Sequence, residues 1–112
     1  MSAVVPIKDF RRRAPYLHFT RTELNRLLGL YASRVIRGEW RDYAINHGPD
    51  AASFMVFASS QEQPQFVISK LAKFRSADRR YVVMSRALKL KQSAELEEAL
   101  SVFDRPIKLV SG

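Results

Sequence analysis

The sequence predicts an α+β domain with a mostly antiparallel sheet of about five strands and two helices, in the order helix, strands, helix, strand. Three observations support this fold. A capped amphipathic helix covers about residues 20–37, the spacing of apolar residues then changes to a period of two, and the runs that follow are joined by short polar connections. Short connections favour antiparallel neighbours, and one or both helices would then cover one face of the sheet.

The first helix has a start signal, an apolar face and a stop signal. Thr20 followed by Glu23 has the spacing of a capping box, and Gly38 is suited to the C-terminal stop. The apolar residues recur at helical spacing and predict one buried face, formed by Leu24, Leu27, Leu28, Tyr31 and Val35.

The strands are predicted from runs that alternate or are apolar on both faces. They are "WRDYAIN" (40–46), "AASFMVFASS" (51–60), "QFVISKL" (65–71), "YVVMS" (81–85) and "ALKLK" (87–91). In the first of these, alternation predicts one face with Trp40, Asp42, Ala44 and Asn46 and the opposite face with Arg41, Tyr43 and Ile45.

A second, shorter helix is predicted after the strands. Ser93 is suited to cap it, and three glutamates near its start favour the helix dipole. Its predicted buried face consists of Leu96, Ala99, Leu100 and Phe103. The run "IKLV" at 107–110 then predicts a closing strand.

The length and composition fit one domain. With 112 residues and 46% hydrophobic content, we expect a single α+β domain at 17–112, preceded by a basic flexible arm at 1–16. The chain has no cysteine, which excludes disulfides, a thiol nucleophile and cysteine-type zinc sites. The sequence lacks the layout of a signal peptide and any apolar run of roughly eighteen residues, so we expect a cytoplasmic protein without membrane contact.

The net charge of +8 is concentrated in two segments. Residues 70–91 carry eight Lys/Arg and one Asp, a net charge of +7, and residues 8–13 carry four Lys/Arg and one Asp, a net charge of +3. The remaining positions have a net charge of −2. A local basic excess attracts polyanions such as nucleic acid, acidic proteins or anionic surfaces.

These two segments are the candidate nucleic-acid-binding parts of the chain. Basic side chains on a loop between two strands could follow phosphates, and Phe74 could stack on a base. The alternative is a solvated hairpin tip whose charge only aids solubility, and a basic tail that binds nothing. The candidate binding residues are Lys70, Lys73, Phe74, Arg75, Arg79 and Arg80, with Arg11, Arg12 and Arg13.

Catalytic chemistry has little support in the sequence. Trp40 could form a stacking surface with Tyr43, but its place directly after a capped helix favours a core residue that seals one edge of the sheet. The acidic residues nearby, Glu39, Asp42 and Asp50, favour ordinary ion pairs over acid–base catalysis. His18 and His47 have no metal-ligand spacing, and the chain contains no phosphate-binding glycine loop or nucleophile motif. We therefore expect a protein that is not an enzyme and has no cofactor or metal.

The run "LNRLLGLYASRVIRGEWRDYAINHGPDAASFMVF", with the later "FVISKLAKFR" and "YVVMS", resembles a family of short alphaproteobacterial proteins, domain of unknown function 2794. The resemblance covers about residues 19–110, and "GEWRDYAI" (38–45) is its most specific part. It implies a bacterial cytoplasmic protein and carries no activity or catalytic residue to this chain.

Two classes of function remain. The first is a non-catalytic nucleic-acid-binding protein, an accessory protein that uses the basic loop. The second is a protein–protein interaction module or a homo-oligomeric structural protein, such as a homodimer, that uses a sheet edge or the acidic second helix and does not bind nucleic acid.

Overall fold

The computed structural model describes residues 16–58, 63–72 and 79–104. In chain order the elements are helix α1 (Arg21–Ile36), strands β1 (Asp42–His47), β2 (Ala51–Phe57), β3 (Phe66–Leu71), β4 (Tyr81–Ser85) and β5 (Leu88–Ser93), helix α2 (Leu96–Leu100) and a 3₁₀ turn (Ser101–Asp104). The predicted α+β class and the order helix, strands, helix are confirmed. The predicted arm, apart from Tyr16, and the predicted closing strand lie outside the described residues.

Helix α1 begins and ends where its capping signals predict. The Thr20 hydroxyl accepts a hydrogen bond from the backbone N–H of Glu23 (3.1 Å), and a Glu23 carboxylate oxygen accepts one from the backbone N–H of Thr20 (2.8 Å). These bonds satisfy two donors that a helix N-terminus otherwise leaves free. At the other end Gly38 has φ +76°, a conformation that a residue without Cβ adopts at little cost.

The buried face of α1 differs from the prediction at its last turn. Leu27 is fully buried, but Val35 is 41% exposed, so the prediction for Val35 is wrong. Arg34 takes its place, because seven residues from Leu27 amount to almost two full helical turns and put Arg34 on the same line of the helix. The Arg34 guanidinium lies over the Trp40 ring, 5.7 Å from its centroid.

The strands form one antiparallel sheet in which the strand order equals the chain order. Because successive side chains of a strand point to opposite faces, every second residue faces the helices. We call this side the core face; its buried side chains include Ala52, Phe54, Val56, Phe66, Ile68, Tyr81 and Val83. They pack with Leu27 of α1 and with Leu96 and Leu100 of α2 in one hydrophobic cluster.

Trp40 belongs to this core, as predicted. It is 4% exposed, and its ring centroid lies 5.5 Å from that of Phe103. It is not part of β1, however, which begins at Asp42. The predicted face shared by Trp40 and Asp42 is therefore wrong, because strand alternation does not extend back into the irregular chain before β1. The β1 residues in register with the buried residues of β2 are Tyr43, Ile45 and His47.

Helix α2 is short and continues directly into the 3₁₀ turn. Its predicted buried residues, Leu96, Ala99, Leu100 and Phe103, are all buried. The residue at the N-cap is Glu95 rather than the predicted Ser93, although the Ser93 hydroxyl accepts a hydrogen bond from the backbone N–H of Glu95 (3.2 Å).

The second face of the sheet is apolar at its centre and has no helix on it in the described part of the chain. Both α1 and α2 pack on the core face. We call the other side the open face; on the three central strands it presents half-buried residues, namely Ala51, Ser53, Met55, Phe57, Val67, Ser69, Leu71, Val82 and Met84. None of the helices in the described ranges is long and apolar enough to cross a bilayer.

Candidate nucleic-acid interface

The end of the sheet at which β1 joins β2 brings together distant parts of the chain. The backbone N–H of Leu17 donates to the carbonyl oxygen of Gly48 in the β1–β2 turn (2.8 Å). The backbone N–H of Ala72 donates to the carbonyl oxygen of Asp50 in the same turn (2.9 Å). We call this end of the sheet, where β1 turns into β2, the turn end.

The described chain next to the basic residues 8–13, and next to residues 73–78 of the second basic segment, lies at the turn end. The segment 8–13 precedes Leu17, and residues 73–78 follow Ala72 directly. The strand order explains why Ala72 lies beside the β1–β2 turn, because the first and third connections of an antiparallel meander fall at the same end of the sheet. Six predicted binding residues lie outside the described ranges: Arg11, Arg12, Arg13, Lys73, Phe74 and Arg75.

Arg79 and Arg80 lie at the turn end, just before β4. Arg79 is exposed, and its carbonyl oxygen accepts a hydrogen bond from the side-chain amide of Gln92 on β5 (3.0 Å). Arg80 is half-buried, and its Nε donates to the carbonyl oxygen of Leu71 (3.3 Å). The backbone at Arg79 is therefore held by β5, while its side chain remains exposed to an approaching polyanion.

Lys70 lies on the core face and is not exposed to a ligand. It is 4% exposed, and its Nζ donates to Glu23 Oε1 (2.8 Å) and to the carbonyl oxygen of His18 (3.0 Å). Its position follows from strand alternation, because Phe66, Ile68 and Lys70 share one face of β3. The predicted phosphate-binding role does not fit Lys70, because its charge is already neutralised inside the protein.

Glu23 is the centre of this buried cluster, which also contains Lys70 and Tyr81. Burial raises the pKa of Glu23, but hydrogen bonds from Lys70, from the Tyr81 hydroxyl and from the backbone N–H of Thr20 outweigh it and hold the pKa below the ordinary value of a glutamate. Burial, together with the bond that the Tyr81 hydroxyl donates to Glu23, raises the pKa of Tyr81 to about 12. The cluster therefore contains an ionised Glu23 and a neutral Tyr81 over a wide pH range.

The cluster fixes the chain between the predicted arm and α1. Lys70 on β3 bonds both the first turn of α1, through Glu23, and the chain before it, through His18. The His18 ring lies 4.2 Å from that of His47 at the end of β1. Sequence reasoning missed both contacts, since they join segments far apart in the chain.

In the described ranges no group of three or more His, Cys, Asp or Glu could hold a metal ion.

A groove of about 1040 Å³ lies at the opposite end of the molecule, between α1, the start of β3 and the 3₁₀ turn. Its cations are already paired: Arg34 bonds Glu39 (2.7 Å) and the carbonyl oxygen of Phe103, and Arg26 bonds Glu97 (2.7 Å). The predicted ion pairing of Glu39 is thus found. The groove is lined by groups that hold the fold together, so it is a weaker candidate than the turn end.

Residues 17–100 match a protein family described as "Protein of unknown function (DUF2794)". The chain belongs to the DUF2794 family. The match starts at Leu17, where the chain is bonded to the β1–β2 turn, and ends at Leu100 in α2. It thus contains the buried cluster of the DUF2794 domain, while the arm precedes it. No curated protein matches the chain, and no solved structure matches it.

Proposed function

We propose that this DUF2794 protein is a cytoplasmic, non-catalytic nucleic-acid-binding protein, an accessory protein that contacts phosphates with the turn end. The observation that carries the proposal is that the described residues next to the two basic segments, Leu17 and Ala72, both bond the β1–β2 turn. Separate basic segments attached to one end of a domain can contact the same stretch of a polyanion.

The charge of the two segments that adjoin the described turn end in the sequence supports this proposal. Residues 8–13 have a net charge of +3, and residues 73–80 contain four Lys/Arg and one Asp, also a net charge of +3. Neutralising about six phosphates gives strong attraction at low salt and a thousandfold loss of affinity, approximately, between 50 and 200 mM salt. Contacts of this kind read the nucleic-acid backbone, so we expect little preference for sequence.

The buried cluster supports it in a second way. Lys70 bonds Glu23 and the carbonyl oxygen of His18, so the base of the arm is attached to the same strand that leads into residues 73–80. Fixing the chain at His18 and at Lys70, close to the two basic segments, reduces the entropy that binding must cost. Lys70 thus supports binding by holding these segments of the fold together and not by contacting phosphates.

A fluorescence-polarisation titration tests the proposal, with single-stranded and duplex DNA and RNA at salt concentrations from 50 to 300 mM. The test variant is Arg79→Glu/Arg80→Glu at the turn end. The matched control is Arg41→Glu/Arg86→Glu, which makes the same change in charge at the opposite end of the sheet, where Arg41 bonds the end of β2 and Arg86 lies in the β4–β5 turn. Circular dichroism of both variants checks that the fold is retained.

We expect the turn-end variant to lose most of its affinity and the control to keep most of it. A second comparison uses Arg11→Gln/Arg12→Gln/Arg13→Gln, which should lower the slope of log affinity against log salt by about 2.7 on duplex DNA. Equal losses in both charge-reversal variants would show a general effect of net charge. That result, or no detectable binding at 50 mM salt, would refute the proposed interface.

A further inference from the structure

The open face of the sheet is ordered in rows that cross the strands. The register places Ala44, Met55, Val67 and Met84 side by side, one from each of the first four strands. The next row contains Asn46, Ser53, Ser69 and Val82, with Ser53 and Ser69 joined by a hydrogen bond of 2.9 Å between their hydroxyls. An apolar row therefore lies beside a more polar row.

The centre of this face is uncharged, although the chain has a net charge of +8. No charged side chain lies on the open face of β2, β3 or β4. Among the residues of the five strands, the charged side chains of this face are on the outer strands: Asp42 on β1, in register with Phe57, and Lys89 on β5, in register with Met84. An apolar centre bordered by opposite charges at its two sides suits a partner with the same arrangement.

We propose that the open face binds the open face of a second copy of this chain, with the two-fold axis parallel to the strands. This axis places each row against the same row of the other copy. The apolar row with Met55, Val67 and Met84 therefore packs on the apolar row of the second copy. It also places β1 of one copy over β5 of the other. Asp42 is then one row from Lys89 of the second copy, about 7 Å along the strand, which a lysine side chain can span.

An axis perpendicular to the strands would be less favourable. It would reverse the order of the rows and place the apolar row against the row that contains Ser53 and Ser69. The polar groups of that row would then lose contact with water without gaining a partner, which has a cost in free energy. The match of like rows therefore selects the parallel axis.

The size of the face is sufficient for a reversible dimer. Five strands about 4.8 Å apart and six residues long, at about 3.3 Å per residue, give a face of roughly 20 Å by 20 Å. With the relief of the side chains, two such faces bury close to 1,000 Å², at the lower limit for a specific interface. Pairing through the β5 edge of the sheet is disfavoured, because β5 carries Lys89 and Lys91 and is irregular where it passes Val83 and Met84.

This dimer differs from the nucleic-acid interface in its response to salt. The parallel axis leaves both basic turn ends on the same side of the dimer, where they repel each other. Salt screens both that repulsion and the two rim contacts and leaves the apolar contacts in place, so the dimer should persist between 50 and 300 mM salt. Nucleic-acid binding should become weaker over the same range, so the two proposals can fail independently.

Sedimentation velocity of the full chain over a wide concentration range tests the dimer. We expect a transition from 12.9 kDa to twice that mass. Val67→Glu puts a charge at the centre of the interface and should raise the dissociation constant at least about a hundredfold. The control is Leu88→Glu, which adds the same charge at a residue that is 57% exposed in the β4–β5 hairpin and off the central rows. It should leave the dissociation constant within about threefold of the original.

A charge exchange at the exposed rim tests the axis without disturbing the core. Asp42→Lys alone and Lys89→Asp alone should each weaken the dimer, because each places like charges together twice. An equimolar mixture of the two variants should form a heterodimer as strong as the original dimer, because both contacts then join opposite charges. A chain that stays monomeric at high concentration would overturn the proposal and leave the face to another segment of the chain or to a different protein. A dimer that Val67→Glu does not weaken would overturn the proposed face. A dimer that neither Asp42→Lys nor Lys89→Asp weakens would overturn the proposed axis.

Discussion

Replacing Lys70 by methionine tests the buried cluster most directly. The change removes the ammonium group and keeps an apolar stem of similar length on the core face of β3. Glu23 then loses its cation while its side chain remains only 13% exposed. It still accepts hydrogen bonds from Tyr81 and from the backbone N–H of Thr20.

The magnitude follows from this geometry. Removing one partner of a buried ion pair costs about 3–5 kcal/mol, since the other charge is left uncompensated. Here Glu23 keeps two donors, so we expect a loss of about 2–4 kcal/mol in the free energy of unfolding. The double variant Glu23→Gln/Lys70→Met removes both charges and keeps a residue suited to the capping box. It should recover about 1–3 kcal/mol relative to the sum of the single changes.

Urea unfolding at neutral pH, followed by Trp40 fluorescence and by circular dichroism, measures all four proteins of this cycle. Acid pH provides a second readout. Because the folded protein lowers the pKa of Glu23, the stability from this carboxylate is present above the unfolded pKa, near 4.5, and is lost as the pH falls through the lower folded value. This acid-dependent loss should be smaller in Lys70→Met. A loss below about 0.5 kcal/mol in Lys70→Met, or strict additivity in the cycle, would refute the role assigned to the cluster.

Three further predictions use the same unfolding assay. Trp40→Ala should lower the free energy of unfolding by about 3–5 kcal/mol, and the native emission of Trp40 should be blue-shifted; an unchanged stability or a solvent-like emission would contradict its burial. The pKa of Tyr81 is raised to about 12 from 10.0, so its neutral form contributes about 3 kcal/mol of stability, which is complete below pH 10 and is lost as the pH rises towards 12. Tyr81→Phe should therefore make the free energy of unfolding less dependent on pH in this range. An absorbance titration in which this variant still shows every late-titrating tyrosine would contradict the assignment. Arg86 has φ +56°, so Arg86→Gly should stabilise the protein by about 1 kcal/mol while Arg86→Ala should not; equal effects of the two changes would contradict backbone strain there.

The local elements were predictable because their signals are local. The capping box of Thr20 and Glu23 depends on residues three positions apart, and β4 has the same bounds, 81–85, as the run that predicts it. The buried face of α2 likewise follows from helical spacing alone. Each of these features needs no knowledge of what the element packs against.

The features that were missed depend on contacts between distant segments. Val35 continues the apolar pattern of α1, but Arg34 covers the core there because Trp40 and the carbonyl oxygen of Phe103 offer it partners. Lys70 has the composition of a surface residue, and only the position of Glu23, 47 residues earlier, makes its burial favourable. The bonds of Leu17 and Ala72 to the β1–β2 turn depend on the folded arrangement of the chain, which charge counts do not contain.

The meander has a consequence for how the chain folds. Within the described ranges each strand pairs with its neighbours in the sequence, so the sheet can grow from successive hairpins, each closed by a local loop at a small cost in entropy. The surroundings of Trp40 are different, because Tyr31, Phe66 and Phe103 come from three widely separated parts of the chain. Far-ultraviolet dichroism should therefore report the growing sheet during refolding, whereas Trp40 emission reports the later step in which both helices dock.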